Sequence, residues 1–243
     1  LLQAKIRTRL DAKEQVILFL NRRGYNNFFI CRDCGHNVRC NSCDISLTYH
    51  ASSQELKCHY CGYCQKVPVL CPQCGSSRIR GFGIGTERVE QEVRRFFPDA
   101  RVARLDTDVA QKGYRQEVFA EFESGHIDIL VGTQMIAKGF DFHGVTLVGV
   151  ISADLSLNMP DFRARERTFQ LLTQVAGRAG RGEKAGEVII QTYWPEHEVI
   201  LAAKRQDYND FYHQEILLRK ELNYPPFSHV LRVLVLGEVE GKV

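Results

Sequence analysis

Residues 127–142 of this chain read IDILVGTQMIAKGFDF, and this stretch decides the fold class. The apolar run from Ile127 to Val131 predicts a strand, and a hydroxyl, an amide, glycines and a carboxylate follow it directly. In α/β proteins such groups collect at the carboxyl ends of parallel strands, where ligands bind. The stretch therefore predicts one strand of a parallel sheet with a ligand site beside its end.

Strands and helices alternate on both sides of this stretch. Further strands are predicted at 15–20, 101–105, 145–152 and 187–193, and helices at 1–10, 86–97, 111–123 and 197–222. Thr86 is the predicted N-cap of the second of these helices. Strands separated by helices of this length are typical of a parallel sheet with crossover helices. We therefore predict an α/β fold.

A second informative stretch, residues 174–182, reads QVAGRAGRG and follows a predicted helix. Gln174, Arg178 and Arg181 stand at i, i+4 and i+7, so they share one helical face. Two arginines among glycines are able to bring guanidinium groups close to a polyphosphate. A lone pair of helical arginines is usually solvated, but this pair follows the first stretch by about forty residues. That combination favours a nucleotide site.

The chain has nine cysteines, and eight of them form four Cys-x-x-Cys pairs inside a stretch that interrupts the α/β pattern. The pairs are Cys31/Cys34, Cys40/Cys43, Cys58/Cys61 and Cys71/Cys74. The chain shows no secretion signal, so a disulfide framework is disfavoured. Paired thiolates are typical zinc ligands, and eight of them predict two closed structural sites without an open catalytic position. The stretch is expected to be a zinc-held platform for binding DNA or protein.

Spacing favours a nested combination of the pairs. Cys40/Cys43 with Cys58/Cys61 lie close to ribbon spacing, which leaves Cys31/Cys34 with Cys71/Cys74 to bring the two ends of the insert together. Sequential pairing remains the alternative. Cys64 could replace Cys61 as a ligand, although a free thiol keeps the turns regular. The three nearby histidines are not needed as ligands and are expected either at the surface or beside the ligands; they are His36, His50 and His59.

The net charge and the distribution of apolar residues limit the classes of function. The 243 residues carry a net charge of +3, which says little about nucleic acid by itself. No signal peptide and no apolar run of about 18 residues occurs, so nothing indicates export or a membrane span.

The stretches at residues 127–142 and 174–182 resemble motifs V and VI of superfamily 2 helicases. Together with the four cysteine pairs, the NRRGY at residues 21–25 and the segment from Ser152 to Arg167, they resemble the PriA family of primosomal replication-restart DNA helicases. The resemblance covers nearly the whole chain and implies a RecA-like helicase lobe with an inserted two-zinc module. Cys64 is not part of that family's eight-ligand pattern.

Carried onto matching positions, the resemblance implies roles for individual residues. Arg178 and Arg181 would act as arginine fingers on the γ-phosphate, and Gln174 would help to position the nucleotide. Gly139 and Asp141 would line the ATP cleft. The implied DNA-binding residues are Thr133, Gln134, Asn21 and Arg22.

The resemblance also implies an organisation and partners. Residues 1–30 would start the second helicase lobe, 31–77 form the zinc insert, 78–195 complete the lobe, 196–224 form a long linking helix, and 225–243 begin a truncated C-terminal domain. No P-loop and no Asp-Glu box occurs in the 243 residues, so ATP with Mg²⁺ would need an upstream first lobe. Expected partners are DNA forks, single-stranded DNA, primosome proteins and single-strand-binding proteins, in the bacterial cytoplasm. An RNA helicase and an inert scaffold with a binding platform are the alternatives.

Overall fold

The computed structural model describes residues 1–20, 28–50, 53–82, 85–106, 113–133, 136, 142, 144–177 and 185–231. Its largest element is a five-stranded parallel sheet with the order β10-β9-β1-β8-β7. The strands are β1 (Gln15–Phe19), β7 (Val102–Leu105), β8 (Ile129–Gly132), β9 (Val145–Val150) and β10 (Glu187–Ile190). The predicted α/β fold with a parallel sheet is confirmed.

The central strands are apolar along their whole length because both faces of the sheet are covered. Successive residues of β1 point to opposite faces: Val16 and Leu18 join one core, and Ile17 and Phe19 join the other. Helices α1 (Leu2–Asp11) and α2 (Thr86–Phe96) cover the first face. The second face is covered by α3 (Arg115–Glu123), α5 (Ala164–Ala176), α6 (Glu198–Arg205) and α7 (Tyr208–Glu221).

The cysteine-rich stretch stands on a two-stranded antiparallel pair. β2 (Phe28–Cys31) pairs with β6 (Ile79–Phe82), and Cys31 lies opposite Ile79. A second antiparallel sheet follows inside the stretch, with β3 (Thr48–His50), β4 (Glu55–Lys57) and β5 (Cys64–Lys66) in that order. A small core of its own fills the space between them, formed by Val38, Ile45, Leu47, Leu56 and Ile79. The entry and exit of the insert therefore lie side by side.

Two sequence expectations about helices are corrected. The helix predicted over 197–222 is two helices, because Gln206 adopts a left-handed φ of 54° and Asp207 caps α7 by accepting from the Asp210 N–H at 2.9 Å. Thr86 is the first residue of α2 rather than its cap. Its hydroxyl instead donates to the carboxylate of Asp106 at 2.7 Å.

The order of the sheet places the carboxyl ends of β1, β8 and β9 next to one another. Leu20, directly after β1, donates its N–H to the carbonyl of Gly132 at the end of β8 at 2.8 Å. A short helix, α4 (Asp154–Leu157), follows the end of β9. Within the described residues, the helices are all too short or too polar to cross a bilayer.

Candidate metal centres and sheet edge

All four Cys-x-x-Cys pairs are built on the same turn. The residue after the second cysteine has a positive φ: 75° at Gly35, 47° at Asp44, 76° at Gly62 and 72° at Gly75. Each of these residues donates its N–H to the carbonyl of the first cysteine at 2.8–3.0 Å. Glycine adopts this conformation without cost, and aspartate is among the few other residues that tolerate it. The turns aim both sulfurs of a pair to the same side.

The structure brings the eight paired cysteines into two clusters. One contains Cys31, Cys34, Cys71 and Cys74, and the other contains Cys40, Cys43, Cys58 and Cys61. The sulfurs within each cluster all lie within 4.8 Å of one another. This is the nested combination, in which the first and last pairs meet beside the β2–β6 pair.

The spacing of the sulfurs fits a tetrahedral ion. Cys31 Sγ lies 3.6 Å from Cys74 Sγ, and Cys34 Sγ lies 3.7 Å from Cys71 Sγ. In the second cluster, Cys40 Sγ lies 3.5 Å from Cys61 Sγ. A zinc–sulfur bond of about 2.3 Å places tetrahedral ligands about 3.8 Å apart. None of the nine cysteines is in a disulfide. Both clusters are therefore compatible with zinc.

The thiols of the cluster that contains Cys31 and Cys34 differ in pKa. Burial raises the pKa of Cys34 to about 12. Burial opposes ionisation of Cys31 as well, yet the backbone N–H groups of Asp33 and Cys34 lower its pKa to about 7. A bound divalent cation would favour the thiolate forms, so it suits this donor set.

The other candidate ligands lie outside the two clusters. Cys64 is exposed on β5 and donates its thiol to the carbonyl of Gly62 at 3.3 Å. His50 and His59 contact each other, with 3.3 Å between their Nε2 atoms. Burial and the nearby Arg39 lower the pKa of His36, which keeps that ring neutral.

Two of the residues predicted to bind nucleotide or DNA, Thr133 and Gln174, lie within the described part of the chain. Thr133 directly follows β8, is 8% exposed and donates its N–H to the carbonyl of Leu105 at 3.3 Å. Gln174 lies on the exposed side of α5, near its carboxyl end. The other predicted nucleotide- and DNA-binding residues lie outside the described residues: Asn21, Arg22, Gln134, Gly139, Asp141, Arg178 and Arg181.

Two buried acidic residues were not assigned a role from the sequence. Asp154 is 2% exposed and accepts hydrogen bonds from the Thr192 hydroxyl at 3.0 Å and the Tyr193 N–H at 3.2 Å. Burial raises its pKa, although these donors oppose the shift. Glu215 on α7 is 5% exposed and accepts from Arg165 and Arg219. A buried acid in a polar stretch gives no periodic signal, so patterning could not identify either.

The insert packs tightly against the α/β lobe at Gly35. A Cβ added there would lie 2.8 Å from the Tyr193 carbonyl oxygen and 2.9 Å from the Trp194 Cβ. The same addition at Gly75, which has a similar φ, meets no described atom within 4 Å. Substitution of either glycine would therefore strain the backbone, but only a side chain at Gly35 would clash with neighbouring atoms.

We expect Gly35→Ala to destabilise the zinc-loaded protein more than Gly75→Ala does. The positive φ costs each variant about 1–2 kcal/mol, and the clash adds about 1–3 kcal/mol at Gly35 alone. Denaturant unfolding of the two variants at equal zinc content measures the difference. Equal losses would mean that this turn does not pack against the end of β10.

Comparison with known proteins agrees with these features. Residues 40–66 match a family described as the PriA DNA helicase Cys-rich region, and residues 75–183 match the helicase conserved C-terminal domain. The replication restart protein PriA of Bacillus subtilis is 53% identical over 242 residues, which are 99% of this chain and 30% of that relative. PriA of Synechocystis is 47% identical over 240 residues, or 96% of this chain and 29% of that relative. The chain thus spans less than a third of either relative.

Among solved structures, the Pyrococcus furiosus Hef helicase domain overlays with a TM-score of 0.40 at 16% identity. The overlay covers 84% of this chain and 27% of that one. This distant likeness supports no assignment of residues.

Proposed function

The chain belongs to the PriA family, and on that premise we propose that it forms the second motor lobe and zinc module of an ATP-dependent DNA helicase. The helicase would move 3′ to 5′ and act in replication restart and primosome assembly at forks. The observation that carries the proposal is the GRAGR at residues 177–181. It directly follows α5, a helix packed on the sheet of a helicase C-terminal domain.

In this proposal the arginines supply charge for phosphoryl transfer. Arg178 and Arg181 would meet the negative charge that develops on the γ-phosphate, and Gln174 would orient the nucleotide. Gly139 and Asp141 would line the cleft at the carboxyl ends of the strands. Bound Mg²⁺ would neutralise phosphate charge when ATP is present, held by the upstream lobe.

DNA would be held through its backbone. In the sequence, Thr133 and Gln134 come after β8, and Asn21 and Arg22 come after β1. Because β1 and β8 are neighbouring parallel strands, both pairs would serve the same edge of the sheet in this proposal. Hydroxyl, amide and guanidinium groups suit phosphate contacts, which carry no base sequence. Binding would therefore be sensitive to salt and tolerant of sequence.

The two zinc sites would be structural. Each cluster uses four thiolates and leaves no open position for a reacting water. The module would meet DNA forks, primosome proteins or single-strand-binding proteins. The module carries two adjacent exposed apolar side chains, Val69 at 85% and Leu70 at 55% exposure, which also favour the second candidate function. That candidate is a binding platform on an inert α/β scaffold.

We expect the 243-residue chain alone to hydrolyse no ATP, because it holds neither a P-loop nor an Asp-Glu box. Phosphate release with saturating single-stranded DNA and Mg²⁺ measures this, with the full-length parent as the positive control. Sustained turnover by the isolated chain would contradict the division of the ATP site between two lobes.

The function is tested by ATP hydrolysis of the full-length parent with and without single-stranded DNA. A motor hydrolyses ATP faster when DNA is bound. A platform binds DNA equally well but shows no stimulated hydrolysis, and that result would favour the second candidate.

A further inference from the structure

A connecting segment, residues 152–162, joins the end of β9 to the start of α5. It contains α4 and lies between the sheet and the zinc module. Its residues resemble those of the family, yet the proposed chemistry uses none of them. The contacts of this segment are what suggest a role.

The first contact runs through Asp154. Its carboxylate accepts from the Thr192 hydroxyl and the Tyr193 N–H, which fixes the turn after β10. The Tyr193 hydroxyl in turn accepts from Arg32 Nη1 at 2.5 Å, and Gly35 lies against the Tyr193 carbonyl. Arg32 and Gly35 belong to the first turn of the Cys31 cluster. Asp154 thus holds the surface on which that cluster rests.

The second contact is at Asn158, which is 6% exposed. Its Oδ1 accepts from Asn37 Nδ2 at 2.8 Å, and the same Nδ2 donates to the Ser46 hydroxyl at 2.5 Å. Asn37 and Ser46 lie in the module, on either side of the second cysteine pair. A buried amide network of this kind holds one relative position of two elements.

The third contact is at Phe162. Its ring stacks on Tyr224, with 5.1 Å between centroids and 18° between planes. The Tyr224 hydroxyl donates to the carbonyl of Cys43, a member of the second cluster, at 2.7 Å. The Phe162 N–H donates to the hydroxyl of Tyr60, which lies within the third cysteine pair, at 3.4 Å. The segment therefore touches the surroundings of both clusters.

The other end of the segment continues into a rigid helix. α5 starts two residues after Phe162 and has 13 residues, so it extends about 20 Å and carries Gln174 near its far end. Its first turn is held by ion pairs to α7: Arg165 with Glu215 at 3.0 Å and Glu166 with Arg219 at 2.6 Å. Arg219 also lies over the Phe162 ring, 5.3 Å from its centroid. A displacement of the module would therefore be transmitted to α5 through the connecting segment and its contacts with α7.

We propose that the connecting segment couples the zinc module to the motor, so that ATP hydrolysis drives strand separation. Asn158 and Phe162, with Tyr224, act as positioning residues that link the orientation of the module to that of α5. The inference rests on the proposed helicase function and adds the route by which the two parts act together. Breaking the route leaves hydrolysis and zinc binding in place and lowers the work obtained per ATP.

The test uses the full-length parent and forked DNA with a 3′ single-stranded tail. Asn158→Ala removes the amide contact, and Tyr224→Phe removes the hydroxyl bond to Cys43 but keeps the stacked ring. Tyr212→Phe is the matched control, because that tyrosine is 46% exposed and stacks on Tyr208. Zinc content, DNA-stimulated ATP hydrolysis and duplex opened per ATP are measured for each.

Both variants are expected to keep two zinc ions and ATP hydrolysis within about twofold of wild type, while duplex opened per ATP falls about tenfold, a typical size for residues that couple distant sites. The control should match wild type. Unchanged duplex opening per ATP in both variants would overturn the inference alone. An equal fall in hydrolysis and opening, or loss of zinc, would also overturn it, since the contacts would then be structural support only. A wild type that opens no duplex would overturn the proposed function and the inference with it.

Discussion

Arg181→Ala in the full-length parent is expected to lower DNA-stimulated ATP hydrolysis by about a hundredfold or more, because an arginine finger typically contributes about 10³–10⁵ to the rate. A guanidinium beside the γ-phosphate acts on the transition state, so hydrolysis should fall while DNA affinity and zinc content stay intact. Initial rates at saturating DNA and ATP measure the effect.

Arg95→Ala serves as the matched control for this variant. Arg95 lies on the exposed face of α2, where its side chain is 71% exposed and pairs with Glu92 at 3.5 Å. Surface ion pairs of this kind contribute little, so the control should hydrolyse ATP at the wild-type rate. An Arg181 variant that also matches wild type would mean that the GRAGR segment does not face nucleotide.

Cys58→Ser is expected to reduce the zinc content of the chain from two ions to one and to disorder the β3-β4-β5 sheet. Cys58 is fully buried, belongs to the second cluster and directly follows β4. Structural zinc contributes about 10–16 kcal/mol of apparent binding free energy in small modules, far more than the small core beside it can replace. Because the module is expected to hold DNA forks, duplex opening by the parent should be lost.

Cys64→Ser provides the control for zinc loss. Cys64 is exposed and lies outside both clusters, so this variant should retain two ions and an ordered module. Zinc released by thiol modification gives the stoichiometry, and backbone amide exchange across residues 48–66 reports the order of the sheet. Retention of two ions by Cys58→Ser, or loss of one by Cys64→Ser, would contradict the arrangement of the second cluster.

Much of the fold was predictable because its strands are short, apolar and separated by amphipathic helices. The strand predicted from Ile127 to Val131 is β8, and the helix predicted from residue 86 is α2. The break at Gln206 escaped prediction because the apolar residues on both sides keep a helical period. The sequence signal for this break was local. Asp207 is a preferred N-cap residue, and in the structure its side chain accepts from the Asp210 N–H.

The two metal clusters show a similar division. Cysteine spacing restricted the ligand pairs to a few combinations. The nested combination was favoured because an inserted module needs its two ends close together. What patterning could not supply is the packing of the insert on the lobe. Asp154 begins a one-turn helix, Asn158 and Tyr224 lie in irregular segments, and the partners of the three lie 38–181 residues away along the chain. Contacts of that range carry no local pattern.

ATP-dependent opening of duplex DNA by the full-length parent tests the central claim most directly. We expect the protein to open a duplex that carries a 3′ single-stranded tail, only with ATP, and to leave the same duplex closed when the tail is 5′. Tight binding of both substrates without ATP-dependent opening of either would contradict the motor and identify the zinc platform as the working part of this chain.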